Sequence, residues 1–136
     1  MVYHCQNKFK AKTTANRDWV FGSLVKVQPN QWWIQNEQNR LDAVSTASIC
    51  EYTGLMDTSE PKIEIFENDI IESISNSGQP IRHLVIWEQE NARFAMKHIP
   101  INDWKGSMRI SQSWITEFNK KVVGNLFDNT ELLTIG

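Results

Sequence analysis

Four carboxylates stand close together in the middle of the chain: Asp57, Glu64, Glu67 and Asp69. Paired carboxylates can hold divalent metals for hydrolysis or phosphoryl transfer, so these are the first residues to weigh as chemistry. The same positions also suit backbone turns. Asp57 precedes the loop residues Thr58, Ser59, Glu60 and Pro61, and Glu67-Asn68-Asp69 has the composition of a tight strand entry, where a side-chain oxygen bonds nearby N–H groups. The structural role is the expected one. A second set, His4, Cys5, Cys50, His83 and His98, has zinc-ligand chemistry but lacks the paired ligand spacing of a zinc site. No metal and no cofactor is therefore expected. Phosphate-binding glycine loops, nucleophile elbows and zinc-protease motifs are missing, and the serines and cysteines have no base at recognisable spacing. The expectation is a protein that is not an enzyme.

Binding residues form the next group. Trp33, Arg82, Trp87, Arg93 and Lys97 combine aromatic faces with cations, the chemistry of a small barrel that stacks nucleobases over a basic groove, and Trp32 beside Trp33 adds a platform. A net charge of -2 and a pI near 5.9 argue against nucleic acid as the main partner, because phosphate binding needs a net basic footprint. That total hides an asymmetry. Residues 1–26 carry five basic groups against Asp18, whereas residues 50–72 carry seven acidic groups against Lys62. Lys8, Lys10 and Lys12 can thus meet Glu64 and Glu67, either within the chain or between copies of it. Self-association and binding of an unidentified protein are the expected partnerships, with tryptophan and arginine as anchors.

The elements that must position these groups are mostly strands. Residues 19–21 and 23–27 flank Gly22, and Pro29-Asn30 turns the chain into residues 31–35, which reads as a meander. Residues 62–67 alternate, residues 75–80 have loop composition, and residues 82–88 are apolar on both faces, as in a central strand. Residues 93–99 alternate again. Trp114, Ile115, Phe118 and Val122 recur at helical spacing behind Ser111 and Ser113, so residues 111–122 read as a helix of about three turns. The apolar pairs Leu126-Phe127 and Leu132-Leu133 can fold back as a tail. The 136 residues, 40% hydrophobic, are enough to bury a core without disulfides, and the longest apolar runs are too short to cross a bilayer. Two cysteines and no secretory leader point to a reducing cytoplasm.

Residues 46–72, TASICEYTGLMDTSEPKIEIFENDIIE, and residues 123–132, VGNLFDNTEL, resemble the YopX protein family of phages and prophages. Thr46, Tyr52, Thr53, Gly54, Leu55 and Asp57 stand in the first part of that pattern, and Ile65, Phe66, Glu67, Asp69 and Ile70 in the second. Lys8 to Ala11, the stretch around Gly22, and Val85-Ile86-Trp87 followed by Phe94 are also similar. Asn68 replaces the family's usual glycine, which the left-handed tolerance of asparagine permits, and Thr58 to Pro61 replaces its usual turn. The resemblance implies a largely β, phage-encoded protein without an assigned activity, acting in the cytoplasm of a bacterial host. It also implies an SH3-like small β-barrel in the second half. The expected architecture is mainly β (α+β): an N-terminal β meander over residues 1–60, then an SH3-like barrel with one C-terminal helix and tail over residues 61–136.

Overall fold

The computed structural model describes residues 8–101 and 106–134. His4 and Cys5 lie outside them. The chain forms two compact units, the first ending at Tyr52 and the second beginning at Thr53, where the sequence reading placed the change near residue 60.

The first unit is an antiparallel meander of β1 (Phe9–Lys12), β2 (Trp19–Gln28), β3 (Gln31–Gln35) and β4 (Leu41–Val44), with the start of β5 (Cys50–Met56) beside β1. Pro29 and Asn30 make the β2–β3 turn, Asn30 at a left-handed φ of 66°. Alternation sends Phe9 and Ala11 of β1 into the core with Val20, Leu24, Ile34 and Val44. Gly22 lets β2 approach β3: a Cβ there would lie 2.1 Å from the Gln35 carbonyl oxygen. The sheet curls until β4 meets the end of β1 through the single bridge Thr13↔Val44, flanked by Ser45 N–H to Lys12 O (2.9 Å) and Thr14 N–H to Ala43 O (3.0 Å).

The second unit takes the rest of β5, with β6 (Glu64–Phe66) beside it, and an antiparallel sheet ordered β10-β9-β8-β7-β11. Its strands are β7 (Asp69–Ile74), β8 (Pro80–Glu88), β9 (Arg93–Ile99), β10 (Met108–Arg109) and β11 (Lys121–Asn125). β8 is central, as its two apolar faces imply. Ile71, Val85 and Met96 point to a core closed by Ile65, Ile110 and Ile115. Ile70, Leu84 and Ile99 point the other way and are covered by Leu126, Leu132 and Leu133, so the C-terminal tail folds back as expected. This arrangement corrects the expected SH3-like barrel. A small barrel has one buried face, whereas among the described residues this sheet buries both and is open, with β10 and β11 at its edges.

The helix is also shorter than expected. Ser111 caps α1 (Gln112–Glu117) by accepting the Trp114 N–H at 3.2 Å, but Asn119 takes a left-handed φ of 54° and ends it. The β-branched Val122 then pairs with Ile71 of β7 as part of β11, and Val123 stands in the bulge between Val122 and Gly124. No helix among the described residues is long and apolar enough to cross a membrane.

Candidate functional site

The carboxylates that suggested catalysis are bound to the backbone. Asp57 is fully buried; its Oδ1 accepts the N–H groups of Ser59 (2.9 Å) and Ile63 (2.8 Å), and its Oδ2 accepts the Ser59 hydroxyl (2.9 Å) and the Val122 N–H (3.0 Å). Burial alone would raise its pKa, but the hydrogen bonds from Val122, Ile63 and Ser59 outweigh it and hold the carboxyl below its usual value. One aspartate thus joins the 58–63 loop to β11. Asp69, also buried, accepts the Phe66 N–H at 2.8 Å and closes the turn at Asn68, whose φ is 72°. Asn68 in turn donates its N–H to Val85 O (2.7 Å) and accepts from Leu126 N–H (2.8 Å).

The remaining motif residues do similar work. Thr53 Oγ1 donates to Ile65 O at 2.6 Å and accepts the Leu55 N–H at 3.1 Å. In the VGNLFDN segment, Asn129 Oδ1 accepts the Asn125 N–H, and Asn125 Oδ1 accepts the N–H groups of Phe127 and Asp128. Glycine at 124 leaves room for the first of these bonds, because a Cβ would sit 2.4 Å from Asn129 Oδ1 and the Asn129 side chain would have to shift. Glu64 opens β6 and Glu67 follows it, both half-buried. No group of three or more His, Cys, Asp or Glu among the described residues is placed to hold a metal ion.

The binding candidates on β8 and β9 divide between the two faces of the sheet. On β8 and β9, Arg82, Lys97 and Arg93 share the face of Leu84 and Ile99, while Trp87 shares the opposite face with Val85 and Phe94. The expectation that these four form one basic, aromatic face is therefore corrected: a strand alternates its side chains, and 82 and 87 differ by an odd number. Arg82 pairs with Glu72 at 2.8 Å, Arg93 pairs with Glu88 at 2.9 Å, and Lys97, buried, donates to Gly106 O. Trp87 is 39% exposed, donates Nε1–H to Gln89 Oε1 at 2.9 Å and sets its ring edgewise to Phe94. Trp33 belongs to the first unit, and its buried Nε1–H has no hydrogen-bond partner among the described residues.

In the first unit, Lys8, Lys10 and Lys12 fall on the side of β1 opposite Phe9 and Ala11. The ammonium of Lys8 lies 5.6 Å from the Tyr52 ring centre, and those of Lys10 and Lys12 lie 4.7 and 5.4 Å from that of Trp19. Lys10 is only 7% exposed, so of the three expected contact residues it is the one withheld from a second molecule.

One cluster was invisible in the sequence. Lys120, 1% exposed, ends the turn between α1 and β11 rather than extending the helix. Its Nζ donates to Ile81 O at 3.2 Å, lies 3.2 Å from His83 Nδ1 and stands 5.0 Å from the Trp114 ring centre. His83 meets Trp114 and His98 edgewise, both at 5.3 Å between ring centres. Burial and the neighbouring charges of Lys120 and His98 push His83 down to about 3, so its ring is neutral; burial pushes Lys120 down to about 8 against the pull of Glu72. An ammonium beside Nδ1 also removes His83 from any zinc site, and Cys50, fully buried, directs its Sγ to Ser48 O. Residues 83 and 120 are 37 apart, and neither local spacing nor composition signals their meeting.

Comparison with protein families matches the chain to the family described as YopX protein over residues 8–134. No curated protein matches it.

Proposed function

The chain belongs to the YopX protein family, and on that premise we propose that it is a phage-encoded, non-enzymatic interaction module that self-associates and binds a protein partner in the cytoplasm of its bacterial host. The observation that carries the reading is the use made of the motif carboxylates. Asp57 gives both oxygens to backbone and hydroxyl donors of the 58–63 loop and of β11, and Asp69 closes a turn, which supports reading these motif residues as scaffold. Self-association rests on charge, with Lys8 and Lys12 of one copy facing Glu64 and Glu67 of another. Light scattering over a hundredfold range of concentration tests it. The mass should rise above that of a monomer at low salt and fall back in a Lys8→Glu, Lys12→Glu variant; a monomer throughout rejects the self-association. A stoichiometric divalent metal found by elemental analysis, and lost in an Asp69→Asn variant, would instead favour a metal-dependent hydrolase.

One observation favours a second reading. Lys8 beside Tyr52 and Lys12 beside Trp19 have the composition of a single-strand-binding surface. Filter binding of a labelled oligonucleotide at low salt distinguishes the two readings, and no retention at high protein concentration disposes of this one.

A further inference from the structure

The Lys120 and His83 contact joins two segments that no strand ladder joins directly. Lys120 follows α1, its N–H bonds Ile115 O at 3.0 Å, and its carbonyl accepts from both the N–H and the hydroxyl of Thr58. Its side chain crosses to β8, where it meets Ile81 O and His83 Nδ1. We propose that His83 and Lys120 form a proton-operated latch, in which neutral His83 accepts from the Lys120 ammonium and holds the α1–β11 turn on the sheet, and protonation of His83 releases that turn.

The argument is geometric. An ammonium has only donors, so the contact requires Nδ1 as acceptor and places the ring proton on Nε2. A proton added at Nδ1 sets donor against donor and cation against cation at 3.2 Å, in a site where both residues are buried. Among the described residues, the groups that face the pair supply no free anion to offset this. From β9 the facing group is His98, from α1 it is the Trp114 ring, and from β8 it is the Ile81 carbonyl, already engaged by Lys120. Glu72 of β7 favours the Lys120 charge but is paired with Arg82. The lowered pKa of His83 agrees with this exclusion of a second charge. Release would also loosen the 58–63 loop, because Val122, two residues beyond Lys120, donates to Asp57.

The test is amide hydrogen exchange of the intact chain, read as protection factors so that the pH dependence of intrinsic exchange divides out. If opening frees His83 to titrate at its ordinary 6.5, the protection of the Ile115, Lys120 and Val122 amides falls about a hundredfold between pH 7 and 4.5. At both pH values it lies below that of Val85 and Met96. His83→Asn keeps an acceptor near Nδ1 but cannot take up the proton, and should lose most of that fall. Nitrogen NMR of the wild type, which needs no variant to fold, should show His83 protonated on Nε2 alone at pH 7. Equal protection across α1, β8 and β9, an undiminished fall in His83→Asn, or a proton on Nδ1 at pH 7 would each overturn the latch.

Discussion

Replacing Asp57 with alanine tests whether the motif carboxylate is scaffold or chemistry. The substitution removes four hydrogen bonds to an ionised acceptor, each of a type that contributes about 1.5–3 kcal/mol. They do not add. Ser59 is half-buried and Ile63 is 45% exposed, so their N–H groups regain water when the carboxylate goes. The Val122 N–H is less able to do so, and the vacated site, fully buried, adds a cavity. The expected loss is about 3 kcal/mol, or roughly 10 °C in Tm for a chain of this size. Asp57→Asn keeps the shape and one acceptor oxygen but faces an NH2 toward the remaining donors, and should cost about 2 kcal/mol. Urea unfolding at pH 7 measures both. The folded pKa of Asp57 lies below the unfolded value of 3.8, so its contribution is present above pH 3.8 and fades as pH falls through the folded value. The gap between wild type and Asp57→Ala should therefore narrow in strong acid. A change under about 0.5 kcal/mol at pH 7, or a gap that widens on acidification, refutes the structural role.

Three further outcomes follow from particular contacts. Gly22→Ala puts a Cβ 2.1 Å from the Gln35 carbonyl, backbone that cannot swing aside, and should cost at least about 3 kcal/mol by thermal unfolding. Between pH 8 and 10.5 the unfolded chain holds a proton that folded Lys120 has lost, so stability should rise with pH by up to about 3 kcal/mol; Lys120→Met should flatten that limb of a denaturation series. Trp33→Phe deletes a buried N–H that lacks a partner among the described residues, and its recovered desolvation, about 1–3 kcal/mol, should offset the lost ring area, leaving urea midpoints within about 1 kcal/mol of wild type.

Where one strand or one turn decides the structure, the chain is legible from neighbouring residues. The Pro29-Asn30 hairpin, the doubly apolar β8, the Ser111 cap and the fold-back of Leu132-Leu133 all follow from local pattern. The turn roles of Asp57 and Asp69 were legible too, since a short carboxylate beside loop residues bonds nearby N–H groups. The end of α1 was not. Trp114, Phe118 and Val122 keep helical spacing, but Val122 finds a ladder partner in Ile71, a contact across 51 positions that overrides the local period. The basic and aromatic set was legible as residue types and illegible as a surface, because face assignment depends on register and on which unit each strand joins.

Taken alone, the residues determined a mainly β chain with aspartates at its turns, because propensity and short-range hydrogen bonding act over a few residues, and their motifs carried the resemblance to the YopX family that the match over residues 8–134 bears out. Tertiary structure decided the rest: an open sheet buried on both faces in place of a barrel, the reach of Asp57 from its loop to β11, and the seating of Lys120 against His83. Each of these depends on groups separated by tens of residues meeting where water is excluded, and no local pattern encodes which donor will find which acceptor there.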